Sequence, residues 1–251
     1  MLRIFEHGRQ YSTQKHLEFE HDGSIVQVAL KRVATSKRFT LRVRAATRDV
    51  VLTMPHRGAL KEARAFVERN AGWISARLAR LPKPIALEPG ARTLLRGVEH
   101  EIVHRPQSRG VVWIEHGSGR PRICVAGQFP HVQRRIVDFL RREARRDLEA
   151  AVEKYARALD VRAPPIALRD PSSRWGSCSS TGRLNFSWRL ILAPPFVLDY
   201  LAAHEVSHLR HMNHSAAFWR LTKRICPETS RAELWLKAYG AALHRYGVPN
   251  P

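Results

Sequence analysis

The string His204-Glu205-Val206-Ser207-His208 has the form H-E-x-x-H, and it constrains its surroundings more than any other part of the chain. On a helix, residues four apart lie on one side, about one turn along. His204 and His208 can therefore turn their imidazoles toward a single ion. Zinc accepts neutral imidazole nitrogen, and in catalytic sites it takes three protein ligands plus a water. Glu205 then lies beside the open position, where a carboxylate can take a proton from that water.

The flanking residues support a helix. Leu198, Leu201, Ala202 and Leu209 recur at helical spacing, with Glu205 inside this apolar stripe and both histidines on its edge. A lone carboxylate on a core-facing stripe is costly unless something compensates it. A cation with its water would do so. The competing reading is chance, because the string is short and the chain holds 13 histidines. A third histidine weighs against chance. On a straight helix His211 overshoots the ion by a turn. A helix ending near Met212-Asn213 lets the chain fold back and present His214, since asparagine tolerates the left-handed conformation that closes helices. His214 is the expected third ligand, with His211 in reserve.

A length of 251 residues suits one large domain or two small ones. No run of about 18 uncharged apolar residues occurs, so no membrane span is expected. The first 20 residues lack the apolar centre of a secretory signal. Cys124, Cys178 and Cys226 are odd in number, far apart and free of C-x-x-C spacing, which argues against a disulfide framework. Together these features point to a cytoplasmic protein. The net charge of +21 raises the alternative of a nucleic-acid partner. Its excess is spread along the whole chain, however, so residue usage alone explains it equally well.

The pattern predicts three parts. Residues 1–22 carry no periodicity and read as a tail or irregular lead-in. Residues 23–128 read as a β-rich region with one helix. Strands at 25–33, 39–44 and 50–54 suggest a meander, and 59–81 an amphipathic helix. Short strands follow near 93–95, 101–104, 111–114 and 122–125, with His100, His104 and His116 read as surface residues. Residues 129–251 begin with the longest helical pattern, 130–159, which carries an arginine-rich outer face partly balanced by Glu143, Asp147 and Glu149. A strand near 166–168, a polar turn-rich segment at 173–182 and a strand at 183–192 lead to the H-E-x-x-H helix, opened by Pro194-Pro195. Further helices are expected at 215–225 and after a capping box at Ser230–Glu233. The fold class is α+β.

Several motifs in this last part resemble one family. Arg174-Trp175-Gly176-Ser177-Cys178-Ser179-Ser180, Leu184-Asn185-Phe186-Ser187-Trp188-Arg189-Leu190, His204-Glu205-Val206-Ser207-His208 and Met212-Asn213-His214-Ser215 with Phe218-Trp219 are similar to the YgjP-like metallopeptidases, zincins related to the SprT and WLM groups. The resemblance implies a zincin-like catalytic domain with one zinc held by His204, His208 and His214, and Glu205 as general base. It implies a protein or peptide substrate, aligned by an edge strand around 185–190. Arg174 and Asn185 become candidate substrate-binding residues.

Three alternatives remain at this level. The protein could be a basic nucleic-acid-associated module with a structural zinc, closed by a fourth ligand such as Cys178. It could be a zincin acting on DNA-bound proteins, by analogy with the SprT group. It could be an amide hydrolase for a small substrate, which requires a closed pocket where a peptidase needs an open cleft. The sequence does not give the oligomeric state.

Overall fold

The computed structural model describes residues 16–21, 24–44, 48–81, 83–171 and 174–247. The expected lead-in falls mostly outside these residues, as do Pro82 of the connector and Ser173 of the polar segment. The part of the lead-in that is described, β1 (His16–His21), is a regular strand paired in antiparallel fashion with β2 (Ser24–Val33). The chain forms two compact units, one ending at Lys83 and the other beginning at Pro84.

In the first unit, β3 (Thr40–Val43) and β4 (Val50–Pro55) complete a sheet of order β1-β2-β4-β3. This is not the expected meander. β4 inserts between β2 and β3 and runs parallel to β2, which sets Val28 beside Val50 and Leu30 beside Leu52. That register gathers the apolar side chains on one face, where Leu17, Phe19, Val28, Leu52 and Met54 pack with Ala63, Val67 and Ile74 of the helices. The helical stretch expected over 59–81 is two helices, α1 (Leu60–Arg69) and α2 (Ala71–Ala79). Asn70 breaks it: its side-chain amide donates to the Phe66 carbonyl at 2.7 Å, and its own N–H bonds to Val67 three residues back. Asparagine offers the backbone such a local alternative to helix continuation.

The second unit opens with β5 (Arg92–Leu95), β6 (Val98–His104), β7 (Val112–Glu115) and β8 (Arg122–Val125), in the order β5-β6-β8-β7. The two four-stranded sheets thus share one topology. The 27-residue α3 (Val132–Ala158) follows, then β9 (Ile166–Arg169), β10 (Gly176–Cys178) and β11 (Leu184–Ser187), which form a sheet of order β10-β11-β9. A 3-10 turn at Trp188–Leu192 leads to α4 (Pro195–Ser207), α5 (Ala216–Ile225) and α6 (Thr229–Leu243).

The expected division after residue 128 does not coincide with the observed one, because the β5–β8 sheet shares its core with α3. Leu95, Ile102, Ile123 and Val125 belong to the same buried cluster as Ile136, Leu140 and Leu148. The β5–β6 turn adds polar fastenings. Arg96 bonds Asp147 at 2.7 Å and Glu143 at 2.8 Å, both on α3. The backbone N–H groups of Arg96 and Gly97 donate to Ile191 and Leu192, just ahead of α4. His100, expected at the surface, is buried here, with Nδ1 against the Val98 carbonyl at 2.9 Å.

The arginine-rich side of α3 is laced with ion pairs, including Arg145–Glu149 and Arg146–Glu143, as its sequence suggested. The expected strand at 183–192 stops at Ser187. There the Ser187 hydroxyl accepts from the Arg189 N–H and starts the 3-10 turn. The expected capping box at Ser230–Glu233 is absent, because α6 already begins at Thr229. No helix of the described residues is long and apolar enough to cross a membrane.

Candidate metal centre

α4 is buried nearly all round, from Val197 to Ser207, in contact with α3, α5, α6 and β10. It ends sooner than Met212-Asn213. Leu209 and Arg210 close tight turns onto Val206 and Ser207, and the Arg210 guanidinium is drawn away to the carbonyls of Leu159 and Asp160 beyond α3. His208 is consequently the residue that caps the helix. Residues 209–215 then turn back, and the Ser215 hydroxyl caps α5 by accepting from the Phe218 N–H at 3.4 Å.

This path brings His204, His208 and His214 together. Their candidate ligand atoms all lie within 4.8 Å of one another, and His204 Nε2 is 3.0 Å from His214 Nε2. Two nitrogens each bonded to one tetrahedral zinc sit about 3.3 Å apart, given Zn–N bonds of about 2.0 Å. The α5 residues Phe218 and Trp219 hold the rings. Phe218 is fully buried and stacks on His208 with centroids 4.5 Å apart, and Trp219 stacks on His214 at 5.7 Å.

Second partners fix which nitrogen two of the rings present. His208 Nδ1 lies 3.0 Å from the His211 carbonyl, so it carries the proton and leaves Nε2 bare. His204 Nδ1 lies 3.2 Å from the Tyr200 hydroxyl, which in turn donates to Glu233 on α6 at 3.3 Å. Such outer contacts orient imidazoles for a metal. Neither Tyr200 nor Glu233 is assigned to the site from the sequence, where Glu233 figures only as the end of a capping box. Tyr200 stands one helical turn before His204, a visible signal, whereas Glu233 reaches the site only through the packing of α6. The reserve candidate His211 contributes its carbonyl and stands outside the ligand group.

Glu205 is 4 % exposed, and burial lifts its pKa from 4.5 to about 7, with the Arg174 charge opposing the rise. Burial and the neighbouring rings push His204 down to about 4, so its imidazole is neutral near pH 7, as a ligand must be. Gly176 permits the burial of Glu205. A Cβ built on Gly176 would lie 2.8 Å from both Cγ and Cδ of Glu205, and closer still to Oε1. Only a residue without a side chain lets β10 approach this carboxylate.

A cleft of about 290 Å3 joins these groups, lined by Gly176, Ser177 and Cys178 on one side and by the three histidines and Glu205 on the other. Cys178 Sγ is directed at the Ser179 carbonyl, 3.4 Å away, and is not among the ligand atoms. Among the described residues the ligand group is thus three imidazoles, a donor set that fits zinc with one position left for chemistry.

The edge strand at this cleft is β10, not the 185–190 segment. β11 lies in the middle of its sheet, with Asn185 opposite Ser177 on one side and Ala167 on the other, so its backbone has no free edge. Asn185 and the exposed Arg174 line a second cavity that adjoins the cleft. The structure therefore brings His204, Glu205, His208 and His214 into one site and sets Arg174 and Asn185 beside it.

Comparison with known proteins gives one finding. The family model of the YgjP-like metallopeptidase domain matches residues 37–239. No curated protein and no solved structure matches the chain.

Proposed function

The chain belongs to the YgjP-like metallopeptidase family, and from that premise we propose that it is a zinc-dependent endopeptidase with His204, His208 and His214 as ligands and Glu205 as general base. The observation that carries this reading is the convergence of three imidazoles within 4.8 Å beside a buried carboxylate, in a cleft open along an edge strand. Zinc in that position supplies a Lewis acid for the scissile carbonyl and a water acidified toward a pKa of about 7.

The protein's own groups do the rest. Glu205 Oε accepts a proton from the attacking water and delivers it to the departing amine. Gly176 keeps the carboxylate at the cleft wall. Tyr200 and the His211 carbonyl hold the His204 and His208 rings in one tautomer. The unpaired side of β10 offers backbone donors and acceptors to an extended peptide. An open cleft of this kind supports a peptide over a small enclosed substrate, and a three-histidine ligand group supports catalysis over a closed structural zinc.

The test uses three variants of the zinc-loaded protein. Glu205→Gln retains one zinc per chain and loses hydrolysis, and fragments found only with the wild type in a proteomic comparison identify substrates. Full turnover by Glu205→Gln on such a substrate removes the general-base assignment. His204→Ala and His208→Ala lose zinc, and undiminished metal in both removes the site.

A further inference from the structure

Across β10 from the metal cleft lies a second cavity, of about 230 Å3. Both cavities are lined by Gly176 and Ser177, so the strand is their common wall. Alternation along β10 sorts the side chains: position 176 faces Glu205 on α4, and Ser177 faces the other way. Asn185, opposite Ser177, shares that outer face and donates its amide to Ser177 Oγ at 3.4 Å. Two residues further along β11, on the same face, Ser187 stands opposite Arg169, and Arg169 and Arg174 both line the cavity.

No ion pair among the described residues balances the charge of this cavity, although the Arg174 charge bears on the buried Glu205. The adjacent carboxylate, Asp170, is bound by Arg189 at 2.7 and 3.1 Å. Arg169 and Arg174 stand outside every ion pair found among the described residues. Two arginines therefore face a small polar hollow that also holds a hydroxyl and a carboxamide, one strand away from the candidate zinc ligands.

We infer that this cavity is a substrate subsite for a carboxylate side chain, which makes the protein selective for peptides with Asp or Glu within about two residues of the scissile bond. The inference rests on the peptidase reading. A peptide paired along the free side of β10 runs about 4.8 Å beyond it, with side chains alternating between the two faces. Side chains on the inner face meet the metal cleft. Those on the outer face extend over Ser177 toward Arg174 and Arg169. A guanidinium presents a planar fork of donors that matches a carboxylate in bidentate fashion. Because both arginines are exposed, the preference weakens as salt screens it.

The experiment profiles cleavage of a mixed peptide library by the zinc-loaded wild type, Arg169→Glu and Arg174→Glu, with zinc content measured for each. The expected result is enrichment of Asp and Glu at one position near the cut. A Glu peptide is then cleaved about tenfold better, by kcat/KM, than its Gln isostere, as for a charge-assisted hydrogen bond. Each charge reversal abolishes or inverts that ratio while zinc stays at one per chain. Wild-type cleavage without acidic enrichment, or variants with an unchanged ratio, overturns the subsite and leaves the peptidase reading standing. Absence of any cleavage by the wild type overturns both. Anisotropy with a labelled single-stranded oligonucleotide is the control arm. Loss of its binding in the variants, with peptide preference unaltered, assigns the arginines to phosphates and overturns the carboxylate subsite.

Discussion

The substitution Gly176→Ala isolates the position of one carboxylate. The added methyl would sit 2.8 Å from Glu205 Cγ and Cδ, whereas carbon atoms in contact settle at about 3.5–4.0 Å. Glu205 must therefore retreat by about 0.7 Å or more, the difference between those separations. Misplacement of a reacting group by about 1 Å costs on the order of 100-fold in rate. The expected kcat is thus roughly one hundredth of the wild-type value. The stability change is at most comparable, since 100-fold in rate corresponds to about 2.7 kcal/mol. Overpacking costs about 1–3 kcal/mol, offset by about 0.5–1 kcal/mol from the lower chain entropy of alanine. The obstructed group is also the end of a flexible side chain rather than backbone. Peptide hydrolysis, zinc content and thermal unfolding measured on the same preparation separate the effects. A variant with one zinc, a Tm within a few degrees of wild type and an undiminished kcat would refute the argument that Glu205 acts from this exact wall of the cleft.

Three further outcomes follow from the site and its supports. In the metal-free protein, the folded-state pKa of Glu205 is raised from 4.5 to about 7, so its contribution to stability is fully present below pH 4.5 and is lost as pH rises through 7. Glu205→Gln should then exceed the metal-free wild type by about 3 kcal/mol at pH 8, with the gap closing below pH 4.5, as read by urea unfolding; a pH-independent gap refutes the shift. Tyr200→Phe removes the partner of His204 Nδ1 and should weaken zinc binding by about tenfold or more in competition with a chelator; unchanged affinity refutes the orienting role. Arg189, 5 % exposed, bonds Asp170 and the carbonyls of Leu243 and Tyr246, so Arg189→Ala should cost about 3 kcal/mol in denaturant unfolding, and a cost within about 0.5 kcal/mol would show that the cluster is dispensable.

What could be read from the residues alone follows the range of the interactions. His204, Glu205 and His208 are related by a single helical turn, so their spacing carries their geometry. His214 followed from the same logic, although α4 ends at Ser207 rather than near Met212-Asn213, through the pull of Arg210 on carbonyls some 50 residues away in sequence. Strand order had no comparable local signature. Nothing in 24–55 marks β4 as the inner neighbour of β2, and nothing in 176–187 marks β11 as central and β10 as the edge. The 185–190 segment was the more apolar and strand-like of the two, which fits the middle of a sheet. Asn70 and Thr229 shifted helix boundaries through single side-chain or backbone contacts. Gly176 stood within a recognised motif, but its purpose appears only when Glu205 is seen against it.

β10 is three residues long. A guest held along so brief a track gains few main-chain bonds, and it must arrive already straightened, with its own pairing partners gone. Segments locked inside a folded sheet or helix are excluded by that requirement. On the peptidase reading, damaged, nascent or unstructured polypeptides are then the accessible prey, and intact neighbours are spared by their own architecture before any side-chain preference applies.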